Sequence, residues 1–237
     1  ETGLKAMVGK VNMDRNAPDY LCEESAERSA EDTLLWLKEV GGRYKNIRPI
    51  LTPRFIPSCS DRLMEMLSGI RREYDLPIQS HLSENKGEIA WVKELCPWSA
   101  FYGDAYEQFG MFGGTYPAVM AHCVHPTEEE IGLMKKNGVF AAHCPHSNTD
   151  LSSGVAPIRR YLEEGIHVGL GSDIAGGHVL SLFQVMVGAV QASKLRWRLE
   201  DETQKPLTVD EVFYMGTKGG GAFFGQVGSF EKGYEFD

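Results

Sequence analysis

Short, mostly apolar runs alternate with longer helical patterns along almost the whole chain, and this alternation constrains the fold more than any other feature. Runs of strand character fall at 6–11, 47–51, 76–80, 117–121, 138–142 and 166–170. The spacing predicts helices between them. The segment 23–40 ends at Gly41-Gly42, and 60–74 places Leu63, Met64, Leu67 and Ile70 on one side. The segment 85–95 stops ahead of Pro97, and 156–164 stops at Gly165. Thr127 and Glu130 read as a capping box for 128–137, with Gly138 as its terminator. An apolar helix is expected over 180–199 and another from Thr208, with Glu211 as capping partner. The stretch 98–115, rich in glycine and aromatics, reads as a long loop. Strands that alternate with helices pair in parallel through right-handed crossovers, so the fold class is α/β. Six such strands suit either an open doubly wound sheet or part of an eight-stranded barrel; periodicity does not choose between them.

Composition narrows the function. A chain of 237 residues, 42% of them hydrophobic, is long enough for one large domain with a sizeable core. The formal net charge of −9 argues against nucleic acid, which demands a concentrated basic surface. The densest basic stretch, 194–198, is short and reads as one helix face. No apolar run reaches the roughly 18 residues of a membrane span, and no signal peptide is visible. The opening Glu-Thr-Gly, without Met, leads us to expect a true N-terminus further upstream. Cys22, Cys59, Cys96, Cys123 and Cys144 are odd in number and form no CxxC pair, which suits reduced thiols in a cytoplasmic protein.

Nearly every apolar run leads into a histidine, an acid or an arginine. Asp14 follows the first, Arg54 the second, His81 and Glu84 the third, His122 the fourth, His143 the fifth and Asp173 the sixth. Sites in parallel α/β folds gather at the C-terminal ends of strands, so these distant positions are expected to converge. Three histidines and an aspartate around one mouth suit Zn²⁺ or Fe²⁺. Each residue also has a plainer reading. A histidine taken alone is more often a satisfied core residue than a ligand. Glu84 suits a proton-shuttling acid beside a metal-bound water, or a helix N-terminal acid favoured by the dipole. Asp173, in Gly-Leu-Gly-Ser-Asp-Ile-Ala-Gly-Gly, suits a ligand or an N-cap. Arg54 and Phe55 offer a donor fork and an aromatic face to a planar heterocycle, or are a surface arginine beside a core phenylalanine. His125 and His146 read as loop or capping residues. His167 sits at a strand start, the wrong end, and His178 follows a Gly-Gly turn.

Several motifs together resemble the later barrel strands of amidohydrolase-superfamily deaminases. They are Gln-Ser-His-Leu-Ser-Glu-Asn at 79–85, Val-Met-Ala-His-Cys at 119–123, Ala-His-Cys-Pro at 142–145 with Ser147-Asn148, and the glycine-rich 169–177. Thr-Pro-Arg-Phe at 52–55, Gly-Lys-Val-Asn-Met-Asp at 9–14 and Leu-Ser-Ser-Gly at 151–154 are similar to the guanine deaminase family in particular. The resemblance implies a distorted (β/α)₈ barrel with one catalytic Zn²⁺, Fe²⁺ being the alternative, and hydrolysis of guanine to xanthine and ammonia. It implies His81 and Asp173 as metal ligands, the latter also accepting a proton from the metal-bound water. It implies Glu84 as proton shuttle, His122 as the group that orients or polarises the attacked centre, and Arg54 and Phe55 as the cradle for the base. His81, Glu84, His122 and Asp173 border the same substrate. The implied partners are a small purine and a second copy in a homodimer.

The chain departs from the family in lacking the His-x-His of the first barrel strand. Its run at 6–11 matches the family's third strand, and 228–237 resembles the segment leading into a small β-sandwich domain. The expectation is therefore one incomplete catalytic barrel domain over 1–237, a partial TIM-like barrel with about six of eight β/α units. His146 stands where relatives often carry Asn or another polar residue. Rival readings are a sister enzyme acting on an adenosine derivative, a triazine or a pterin, and an inactive fragment. A flavodoxin-like module would need a phosphate-cradling glycine loop after an early strand, and none occurs.

Overall fold

The computed structural model describes residues 4–235. Its strands occupy six positions, one for each expected run. The first is split into β1 (Ala6–Val8) and β2 (Val11–Asn12), and the second into β3 (Ile47–Pro49) and β4 (Thr52–Pro53). β1 pairs with β3 and β2 with β4, both in parallel. The break lies at Gly9, where a Cβ would sit 2.0 Å from Thr52 Oγ1 and 2.2 Å from the Ile50 carbonyl oxygen. Only glycine lets the two backbones approach this closely. A bridge from Leu51 to Ile78 passes the sheet on to β5 (Ile78–Leu82), β6 (Ala118–His122), β7 (Phe140–His143) and β8 (Val168–Leu170). These pair in that order, all parallel.

Spatial order thus equals sequence order throughout. A doubly wound sheet reverses direction at a switch point, and no reversal occurs among the described strands. The six positions form an arc of a (β/α)₈ barrel, which settles the choice that periodicity left open.

Helices α1 (Ala26–Val40), α2 (Asp61–Tyr74), α3 (Lys86–Leu95), α5 (Glu128–Asn137), α7 (Ile158–Glu163), α8 (Leu182–Leu199) and α9 (Val209–Tyr214) answer to the expected ones. Ser25, Ser60, Asn85, Thr127 and Thr208 cap their helices through the side chain. Two helices lie where none was expected. α4 (Tyr102–Gln108) interrupts the supposed loop 98–115, and α6 (Pro145–Asp150) begins directly after β7 with proline in its first turn. The expected capping box at α5 is only half formed. Thr127 accepts from the Glu130 backbone N–H, but the Glu130 carboxylate turns inward to the Ser83 hydroxyl and the Gly103 N–H. At α9 both halves of the box form.

Residues 78, 80 and 82 of β5 are buried, and so are 118 and 120 of β6, leaving Gln79 and Val119 on the concave side. The buried set meets Leu63, Met64 and Leu67 of α2 and Tyr106 of α4 in one core. Burial of each such large apolar side chain is worth about 1.5–3 kcal/mol. Arg71 lies in that layer, 1% exposed, and donates to the carbonyls of Leu76, Gly110, Gly113 and Tyr116, tying the segment after α4 to α2. The concave side of the arc opens on a cavity of about 940 Å³ lined by Met7, Ile50, Val119, Phe140 and Met186 among others. Among the described residues, no helix is long and apolar enough to cross a membrane.

Candidate active site

The polar residues named from the sequence do not share one fate at the strand ends. His81 is the fourth residue of β5 and falls on its concave side with Gln79. Its Nδ1–H donates to the Arg54 carbonyl at 2.6 Å, which leaves Nε2 with a free lone pair. Burial first, and then the neighbouring His122, hold its pKa below the ordinary imidazole value, so the neutral ring is favoured.

His122 would be lost to the site in a regular strand. It pairs in register with Leu82, on the helix-facing side of the sheet. Yet its backbone enters the left-handed region, as does that of Cys123, with φ of 73° and 46°. This ends the pleated alternation, and the ring stacks on His81 with centroids 5.2 Å apart. His122 Nε2 then lies 3.8 Å from Glu84 Oε2 and 4.0 Å from Asp173 Oδ2. Ser83 and Asp173 also have positive φ, both 46°. Non-glycine residues in this region cost roughly 1–3 kcal/mol each and concentrate at functional sites. His81, Glu84, His122 and Asp173 are therefore brought together at one rim.

Arg54 follows β4 directly, and its guanidinium carbon lies 5.3 Å from the centroid of the Phe55 ring. Phe55 meets His81 edge-on at 6.1 Å and Trp91 at 6.4 Å. A donor fork and an aromatic surface thus stand beside the histidines. Trp91, half-exposed on α3, had no signal in the sequence beyond helical spacing.

Asp14 and His143, the other residues expected at strand ends, do not join this group of four, although His143 lies within electrostatic reach of His122. Asp14 accepts from the Ser60 N–H and hydroxyl at the start of α2, a structural task. His143 ends β7 without a left-handed turn and remains on the buried side, 2% exposed, its Nδ1 unpartnered. Burial pushes its pKa down to about 3. His125 Nε2–H donates to the Ser153 carbonyl, and His146 Nε2–H donates to the Gln184 carbonyl. His178 pairs with Asp150, and His167 stacks on Phe140 at the other end of the strands.

The donor set bears on whether a metal fits. Two imidazole rings and two carboxylates converge, and among the described residues neither Glu84 nor Asp173 is ion-paired with a lysine or arginine. Lone pairs and negative charge facing one space favour a cation. His81 also shows the support a ligating histidine needs, its second nitrogen donating to a carbonyl. Among the described residues, however, no group of three His, Cys, Asp or Glu side chains forms a metal cage by itself. His81 and Asp173 are two candidate ligands, fewer than the three that a catalytic zinc takes from protein.

Comparison with known proteins addresses the family to which the chain belongs. The chain is 40% identical to the guanine deaminase of Dictyostelium discoideum over 99% of this chain and 52% of that protein. It is 37% identical to the guanine deaminase of Escherichia coli strain K12, over 99% of this chain and 52% of that protein. The structure of guanine deaminase from C. acetobutylicum, with guanine bound in its active site, superposes with a TM-score of 0.95 at 51% identity. That match covers all of this chain and 56% of the other. The chain spans about half the length of the curated relatives it matches. The sequence profile of the amidohydrolase family matches residues 1–237 from end to end, and the chain belongs to that family.

Proposed function

We propose that this chain forms the catalytic barrel of an enzyme that hydrolyses guanine to xanthine and ammonia. The observation that carries the reading is the convergence of His81, Glu84, His122 and Asp173 at one rim, beside Arg54 and Phe55. The guanine-bound relative, similar over the whole of this chain, supports the choice of substrate.

His81 and Asp173 would hold a divalent metal, Zn²⁺ or Fe²⁺. When bound, such an ion supplies Lewis acidity that lowers the pKa of a coordinated water from roughly 15.7 towards about 7. Arg54 hydrogen-bonds the base and Phe55 presents its ring to it. His122 orients the carbon that carries the exocyclic amine. Glu84, with its Oε2 facing His122, carries a proton to the neighbouring ring nitrogen and then to the departing amine. Asp173 accepts the proton that the attacking water releases. Water supplies both protons: one passes to Glu84 and on to the ring nitrogen, the other passes to Asp173 and returns through Glu84 to the amine as the added hydroxyl becomes the carbonyl, so guanine and water give xanthine and ammonia with both carboxylates restored.

The natural full-length protein is the one to test. Glu84→Gln removes the proton carrier but keeps the shape, so turnover of guanine should fall by about 10²–10⁴-fold while metal content stays unchanged. Full activity in that variant would remove Glu84 from the chemistry. A parallel screen of adenine, cytosine and melamine separates guanine from other aminated heterocycles. The reading extends to a cytoplasmic homodimer. The unpaired cysteines accord with a reducing compartment. Exposed Phe183 and Val187, one turn apart on α8, offer an apolar patch to a second copy, and sedimentation of the natural protein as a monomer at micromolar concentration would refute the dimer.

A further inference from the structure

Three buried polar residues in one short stretch each spend a side-chain atom on a different member of the site. The stretch runs from the first turns of α6 through the turn after it. The Ser147 hydroxyl donates to Asp173 Oδ2. His122 Nδ1–H donates to Asn148 Oδ1 at 2.9 Å. The Ser153 hydroxyl donates to Glu84 Oε1 at 2.8 Å. None of the three is more than 6% exposed.

Simple mutual satisfaction of core polar groups does not account for this. Asn148 directs its oxygen to His122 while its own Nδ2 stays buried without a partner. An unmet buried donor costs about 1–3 kcal/mol, so the residue is poorly chosen for stability alone. The stretch is also locked in place. Ser153 N–H returns to the Asn148 carbonyl, and the Ser153 carbonyl meets the His125 ring at 2.7 Å. Gly154, at φ 126°, leaves only 3.1–3.2 Å between an added Cβ and Val124 or His125. At Gly176 an added Cβ would fall 2.8 Å from Asp173 Oδ2 and 2.9 Å from Ser147 Oγ, so the contact there admits no side chain between.

We infer that α6 and its following turn act as a clamp: Ser147, Asn148 and Ser153 are positioning residues that set the direction of Asp173, His122 and Glu84 respectively. Asn148 and Ser153 each hold one atom of their partner and so aim the other at the reacting centre, whereas Ser147 holds Asp173 by Oδ2, the oxygen that itself faces His122 Nε2. His122 Nδ1 is occupied, which turns Nε2 towards the carboxylates. Glu84 Oε1 is occupied, which leaves Oε2 on the His122 side. Supporting hydrogen bonds of this kind fix geometry to a fraction of an ångström, and misplacement by about 1 Å costs on the order of 100-fold in rate.

The clamp rests on the assignment of Glu84, His122 and Asp173 proposed above, and its test separates the two. The zinc-loaded natural full-length protein is first assayed on guanine. Ser153→Ala and Asn148→Ala should each lower kcat about tenfold or more, with KM within about twofold and with zinc content and melting temperature near the parent's. Ser153→Thr, which restores the hydroxyl, should recover most of the loss. Ser147→Ala should release zinc to a competing chelator about tenfold more readily, a readout that needs no substrate. A parent inactive on guanine sinks the functional reading alone, because zinc retention still decides the Ser147 arm. Retention of kcat within twofold in both alanine variants of an active parent, or unchanged zinc retention in Ser147→Ala, overturns the clamp.

Discussion

Replacing Glu130 by Gln should change how stability depends on pH, and the structure sets both sign and size. Glu130 caps no backbone of its own helix. It is 1% exposed, and its carboxyl accepts from the Ser83 hydroxyl at 2.8 Å and the Gly103 N–H at 2.7 Å. These two bonds favour the carboxylate, but burial outweighs them and pushes the pKa from 4.5 up to about 7. The acid is therefore held neutral in the fold. The stability linked to it is complete below pH 4.5 and is lost as pH rises through about 7. At about 1.4 kcal/mol per unit, the loss comes to about 3 kcal/mol. Gln cannot ionise, and its amide can still accept from Gly103 while the Ser83 hydroxyl rotates to accept from the amide nitrogen. Urea denaturation of parent and Glu130→Gln at intervals from pH 4.5 to 8 isolates the effect, since titrating groups not coupled to Glu130 cancel in the difference. The variant should gain about 3 kcal/mol on the parent across that range. Curves that stay parallel would show that Glu130 is ionised in the fold without penalty, and the desolvation reasoning would fail.

Further outcomes follow from the same contacts. Asp173→Ala in the natural full-length protein should lose guanine turnover and weaken zinc retention by about 100-fold or more, read by metal analysis after dialysis; a fully metallated, active variant would rule out ligation. Arg54→Ala should lower kcat/KM for guanine about 10–100-fold, the size of a charge-assisted hydrogen bond, with metal content unchanged; unaltered kinetics would remove Arg54 from the pocket. Arg71→Met keeps the volume but strips the carbonyls of Leu76, Gly110, Gly113 and Tyr116 of their donor. It should cost about 3 kcal/mol or more and lower Tm by about 6–12 °C, measured by calorimetry; a shift below 2 °C would mean that water replaces the guanidinium.

The alternation of apolar runs and helical patterns was enough to locate six strand positions and seven helices, because periodicity and caps are local properties. Ser25 and Ser60 cap α1 and α2 through contacts three residues long, and such contacts are readable without a fold. The placement of His81, Glu84 and Asp173 near strand ends was legible for the same reason. Three things were decided only by tertiary structure. Sequential pairing from β1 to β8 made the sheet a barrel arc, and no local pattern encodes which strand lies beside which. His122 and His143 end neighbouring strands and look alike in sequence, yet a left-handed turn carries the first to the site and an extended backbone leaves the second in the core. The hydrogen bonds of Ser147, Asn148 and Ser153 reach residues 26 to 69 positions away. A serine or asparagine carries the same donors and acceptors wherever it stands; only the folded chain determines what they face.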